Sequence, residues 1–106
     1  MTAIRTANEG PAPLSLGEIQ DIFRAEGLSA PRFWSNGPGD TYGRHEHSYH
    51  KVLYCLEGSI VFHTDDGDLA LGPGDRLDIA PGTAHAATVG TDGVSCVEAS
   101  REAGPG

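Results

Sequence analysis

Gly39-Asp40-Thr41-Tyr42-Gly43-Arg44-His45-Glu46-His47-Ser48-Tyr49-His50-Lys51-Val52-Leu53-Tyr54-Cys55-Leu56-Glu57-Gly58 is the stretch on which the fold turns. Within it His45 and His47 stand one residue apart. Alternate residues of a β-strand face the same side. A His-x-His pair on a strand therefore aims two imidazoles into one space, half of a transition-metal site. The same phase carries Tyr49 and Lys51 inward, leaves His50 outside and turns Glu46 to solvent. A second stretch, Gly72 to His85, reads as a tight turn, a strand, another turn at Ala80-Pro81-Gly82, and a histidine aimed back inward.

Outward from these two stretches the chain is a series of short strand-like runs, near 31–35, 42–47, 51–56, 59–64, 67–71, 76–79, 84–89 and 93–99. Turns at Asn36 to Asp40, Glu57-Gly58, Asp65 to Gly67, Gly72 to Asp75, Pro81-Gly82 and Gly90 to Gly93 separate them. Short strands in regular succession predict a sandwich or barrel. Before them, Ser15 and Glu18 form a capping box that opens one short helix. Leu16, Ile19, Ile22 and Phe23 share a face of that helix, and Gly27 stops it. Residues 1–13, with Pro11 and Pro13 and no hydrophobic period, read as an extended or flexible N-terminal segment. Residues 14–100 read as the barrel domain with its helix, and 101–106 as a disordered tail. Phe33 and Trp34 read as core or dimer-contact residues, with a pocket role as the alternative, and His63 as a rim or surface residue.

Composition narrows the function. A chain of 106 residues has room for one domain, and its net charge is −8, from 7 basic and 15 acidic residues. An acidic surface repels phosphate backbones and anionic lipid, which argues against nucleic acid and membranes as partners. No apolar run approaches the roughly 20 residues that span a bilayer. The first residues lack the apolar core of a signal peptide, so the default expectation is cytoplasmic. Cys55 and Cys96 lie in apolar runs and read as reduced, buried thiols. A barrel this small leaves Phe33, Trp34, Val52 and Tyr54 as apolar residues that one core does not cover, which points to a homodimer.

The two stretches together resemble the paired motifs of the cupins, specifically a small single-domain cupin of the Cupin_2 type. The first motif has a leading glycine, two histidines one residue apart and a closing glycine at Gly58. The second has Gly74, the Pro81-Gly82 turn and a closing histidine at His85. The resemblance covers residues 39 to 89. It implies an all-β, jelly-roll β-barrel with one short N-terminal α-helix. It also implies a divalent transition metal (Fe, Mn, Ni, Cu or Zn) held in the barrel mouth by His45, His47 and His85. The chain departs from the family pattern twice. Lys51 stands where the family has a glutamate ligand, and Val89 stands where an asparagine often ends the second motif.

Three fates are open to Lys51. It can point away or pair with an acid such as Asp78 or Glu98; it can leave a three-histidine site with open positions; or it can bind an anionic ligand itself. Lys51 and Tyr49 are the candidate catalytic residues, Lys51 as a base beside the metal and Tyr49 as a pocket wall. The function expected is a metal-dependent enzyme, of oxygenase or isomerase type, acting on a small polar molecule. The alternatives are a non-catalytic module that binds a small molecule or metal in the same pocket, and a metal-free barrel serving as an oligomeric scaffold.

Overall fold

The computed structural model describes residues 2–10 and 12–101. Pro11, which falls in the segment expected to be extended or flexible, and 102–106 of the expected tail lie outside the described residues. Among the described residues there are seven strands and one helix. They are β1 (Ala3–Thr6), α1 (Leu16–Ala25), β2 (Arg32–Asn36), β3 (Thr41–His45), β4 (His50–Thr64), β5 (Gly67–Leu71), β6 (Arg76–Ile79) and β7 (His85–Arg101). Every pairing is antiparallel. The order runs β1-β6-β4-β7-β2, with β5 on the far half of β4 and β3 on the far half of β7. No helix of the described residues is long and apolar enough to cross a membrane.

Two of the expected turns are not turns. Glu57-Gly58 and Gly90 to Gly93 lie inside continuous strands, so runs 51–56 and 59–64 are one strand, as are 84–89 and 93–99. The sequence pattern broke there because the phase breaks. Barrel-facing positions of β4 change from odd (Leu53, Cys55) to even (Ile60, Phe62), and those of β7 from His85, Ala87 and Val89 to Val94 and Cys96. The β4–β7 register shifts between Cys55 and Glu57 and again between Gly58 and Ile60. Irregularities of this kind bend a strand and re-aim its side chains, which lets each long strand serve both halves of the barrel. Glycine is required at the bend. Gly58 has φ +76°, and a Cβ there would meet the Gly93 carbonyl oxygen at 2.0 Å.

The inward residues form one core around Leu53, Cys55, Ile60, Phe62, Leu77, Ile79 and Val89. Cys55 and Cys96 are free, buried and directly opposed across β4 and β7. Hydrogen bonding to Cys55 and burial push the Cys96 thiol far above its ordinary value, so it stays a protonated, inert core group.

The outward face of the same strands is covered by α1. The Ser15 hydroxyl accepts from the Glu18 amide, and the Glu18 carboxylate accepts from the Ser15 amide, closing the capping box. At the other end Gly27, at φ +71°, donates to the Arg24 carbonyl while Leu28 donates to that of Phe23, a Schellman ending. Ile19 and Phe23 bury fully against Val52, Tyr54, Val97 and Ala99. Leu16 is not on that face and stays exposed. Val52 and Tyr54 are thus covered by the chain's own helix, which removes them from the argument for a dimer. Arg76 locks the helix end, donating to both oxygens of Glu26 (2.6 and 2.8 Å) and to Asp78 (2.8 Å). Residues 3–6, read as part of an extended or flexible segment, are an edge strand on β6. Four residues carry no legible period, and the free edge of β6 supplies the pairing.

Candidate metal centre and pocket

His45 closes β3 and His85 opens β7, and the two are direct cross-strand partners. β3 ends at His45, so the alternation expected through residue 47 does not hold: residues 46–49 leave the strand and bend. His47 reaches the same space by another route. Its carbonyl accepts from the Gly82 amide at 2.8 Å, which ties its loop to the turn that aims His85. The three rings have centroids 4.3 to 5.3 Å apart, and one ligand atom from each lies within 4.8 Å of the other two.

The ring protons are placed by the backbone. His85 Nδ1 donates to the Thr83 carbonyl at 2.9 Å, and His45 Nδ1 to the Gly43 carbonyl at 2.7 Å. With the proton on Nδ1, each ring presents the lone pair of Nε2 to the centre. His85 Nε2 and His47 Nε2 are buried and have no hydrogen-bond partner among the described residues. A buried polar atom left unpaired costs about 1–3 kcal/mol, so two such atoms within one histidine cluster suit an electrophilic partner such as a metal ion. Burial holds both rings below the ordinary imidazole range, with the Lys51 charge second for His47. They are therefore neutral near pH 7, the form that binds a metal. The donor set fits a divalent transition metal, with the backbone carbonyls orienting the rings from behind.

Beside the histidines opens a cavity of about 260 Å³. Lys51 and Glu98 stand in its wall, Nζ 3.2 Å from Oε1, with side chains 12% and 13% exposed. Of the fates open to Lys51, the structure shows pairing with Glu98 and at the same time a place on the pocket wall. Asp78 is not its partner; Asp78 lies on the outer face, beside His50 at 3.1 Å and Arg76. Trp34 Nε1 donates to the same Glu98 oxygen at 2.6 Å and meets Tyr42 edge-on at 5.7 Å. Tyr49 stacks on His47, centroids 4.9 Å apart and planes at 23°, and does not line the cavity. His50 lies outside the site, and His63 bonds Asp68 and Thr88.

Sequence reasoning gave no pocket role to Arg32, Tyr42 or Phe62 and only a secondary one to Phe33 and Trp34, yet all five line the cavity. Phe33 and Trp34 read as core or contact residues because neither carries a spacing signal. Glu98 was legible as an acid within reach of Lys51. Its inward aim becomes evident only once β7 is known to change phase after Val89.

Comparison with known proteins agrees with this geometry. The Cupin domain family matches residues 32–97, more than half of the chain. Quercetin 2,3-dioxygenase of Bacillus subtilis (strain 168) is 43% identical over 84 residues, which is 74% of this chain and 25% of that protein. A solved structure described as the DMSP lyases RdDddP and RnDddQII is 33% identical with a TM-score of 0.61, covering 70% of this chain and 37% of the other. A cupin superfamily protein from Desulfitobacterium hafniense DCB-2 shares the fold over 95% of this chain and 78% of its own, with a TM-score of 0.63 at 16% identity. The chain spans about a quarter of the length of the dioxygenase and just over a third of the lyase structure. By its matched residues and its barrel, the chain belongs to the cupin family.

Proposed function

We propose that this protein is a small metal-dependent cupin enzyme, of oxygenase or isomerase type, acting on a small polar molecule. The observation that carries the proposal is the convergence of His45, His47 and His85 with two buried, unpartnered Nε2 atoms. These residues would hold one divalent transition metal: Fe, Mn, Ni, Cu or Zn. Such an ion supplies a Lewis acid with open positions for substrate or water. The chain supplies the rest. Gly43 and Thr83 carbonyls fix the rings of His45 and His85, and Tyr49 stacks on His47 and sets its plane. Phe62 and Trp34 give the cavity wall its apolar surface. The Lys51 ammonium, paired with Glu98, offers a proton donor and a positive contact. The names of the relatives, a dioxygenase and a lyase, support a reaction at such a centre.

A second reading, a non-catalytic binding module, is favoured by one observation: an ammonium in an ion pair stands where the family pattern has its glutamate ligand. Oxygen uptake with quercetin as the probe, on protein loaded with each metal in turn, tests the oxygenase reading. Metal-dependent uptake that disappears in His47→Ala supports the enzyme. Stoichiometric metal with no oxygen uptake removes the oxygenase reading and leaves the isomerase and the module.

The assembly we propose is a homodimer. Its support is the exposure of Ile4 and Phe33, each more than half open to solvent. Light scattering that finds only the 11.1 kDa species at micromolar concentration contradicts it.

A further inference from the structure

The charges around the cavity run against those of the molecule. The chain carries net charge −8, yet the charged side chains lining this cavity are Arg32, Lys51 and Glu98, two cations against one anion. The strand order β4-β7-β2 sets Lys51 and Arg32 on either side of Glu98. Glu98 is spent. One of its oxygens takes both the Lys51 ammonium at 3.2 Å and the Trp34 indole at 2.6 Å. Arg32, the direct cross-strand partner of Glu98, makes no ion pair among the described residues. A planar guanidinium at a pocket mouth with its donors free is suited to a carboxylate, which it can hold through two parallel hydrogen bonds. Phe33, Trp34 and Phe62 give the wall its apolar, aromatic part, beside Tyr42 and the rings of His45 and His85. At about 260 Å³ the space lies just under the roughly 300 Å³ at which drug-sized pockets begin, so the ligand is small.

We propose that the cavity takes a small carboxylate with a flat apolar body, its charged end drawn by Arg32 with Lys51 and its body laid against Trp34. This deepens the functional reading, since it rests on the cavity being the ligand site, and it names the substrate class. It also gives the departure at Lys51 a purpose. A glutamate there would turn the wall to two anions against one cation and repel the ligand that the present residues attract.

Trp34 is the only tryptophan in the chain, so its fluorescence reports this wall and nothing else. The test titrates metal-stripped protein with benzoate and with benzamide, which have the same shape and differ in charge. Benzoate is expected to change Trp34 emission at about tenfold lower concentration than benzamide. Arg32→Gln, an exposed and therefore tolerant position, is expected to abolish that preference. An equal response to both probes, no response to either, or a preference that survives in Arg32→Gln overturns the proposal. Repeating the titration after adding Mn(II) or Zn(II) keeps the two readings apart. If the metal assignment fails, metal changes nothing and the benzoate preference stands. If the carboxylate assignment fails, metal binds and the two probes are not distinguished.

Discussion

Lys51 Nζ lies 3.2 Å from Glu98 Oε1, and both side chains are almost nine-tenths covered. Their charges are therefore interdependent. Removing one partner of a buried pair strands the other in a poorly solvated wall, which costs up to 3–5 kcal/mol in fully buried cases. Some solvent reaches this pair, so Glu98→Gln should lower the unfolding free energy by about 1–3 kcal/mol. Urea denaturation of wild type and variant checks this. A loss below about 0.5 kcal/mol would show that Lys51 finds water as readily as it finds Glu98.

Lys51→Glu tests the position from the other side. It places two carboxylates in contact, so the metal-free variant should be less stable than wild type. It also restores an oxygen ligand beside three imidazoles, so Mn(II) should raise its melting temperature by more than it raises that of wild type. Thermal melts with and without the ion read both effects. An equal gain in the two proteins would place residue 51 out of reach of the centre.

Acid should weaken the metal-free protein in two windows. Burial lowers the folded-state pKa of His47 and His85 below the ordinary 6.5. Below that value the unfolded chain takes up protons that the folded rings refuse, so the unfolded state binds more protons and stability falls with falling pH. Above it both states are neutral and stability is flat. A second loss follows below the ordinary values of Glu26 (4.5) and Asp78 (3.8). Hydrogen bonds from Arg76 lower Glu26, and those from Arg76 and His50 lower Asp78 against the opposing effect of burial. Urea titrations at a series of pH values should show the first loss shrink in His85→Gln and the second persist.

Phe23 is 2% exposed and packs its ring 5.7 Å from that of Tyr54. Truncation to alanine should cost about 3–5 kcal/mol and loosen α1 from the sheet. Hydrogen exchange would then quicken at the amides of α1 before those of β4. Uniform quickening would show that helix and barrel unfold as one unit.

Much of the fold was legible because its signals are local. The capping box at Ser15 and Glu18 needs four residues, and His45, His47 and His85 lie in motifs with fixed glycines and a Pro-Gly turn. What escaped depends on distant partners. β1 exists because β6 has a free edge, which no property of Ala3–Thr6 announces. The unbroken length of β4 and β7 depends on the glycine contact at Gly58 and Gly93, so the phase change there read as two turns. In the site, the alternation rule brought His47 inward, although the strand had already ended and the Gly82 amide places it. Trp34 and Arg32 entered the pocket wall through β2–β7 pairing, a long-range contact with no motif to mark it.

The claim on which the account depends most is that His45, His47 and His85 form one metal site. Metal stoichiometry after equilibration with Mn(II) or Zn(II) and removal of free ion tests it, on wild type and His47→Ala side by side, with circular dichroism to show that the barrel persists. One ion per chain is expected for wild type and almost none for the variant, with an unchanged β spectrum. Stoichiometric metal retained by His47→Ala, or no uptake by folded wild type, would contradict it.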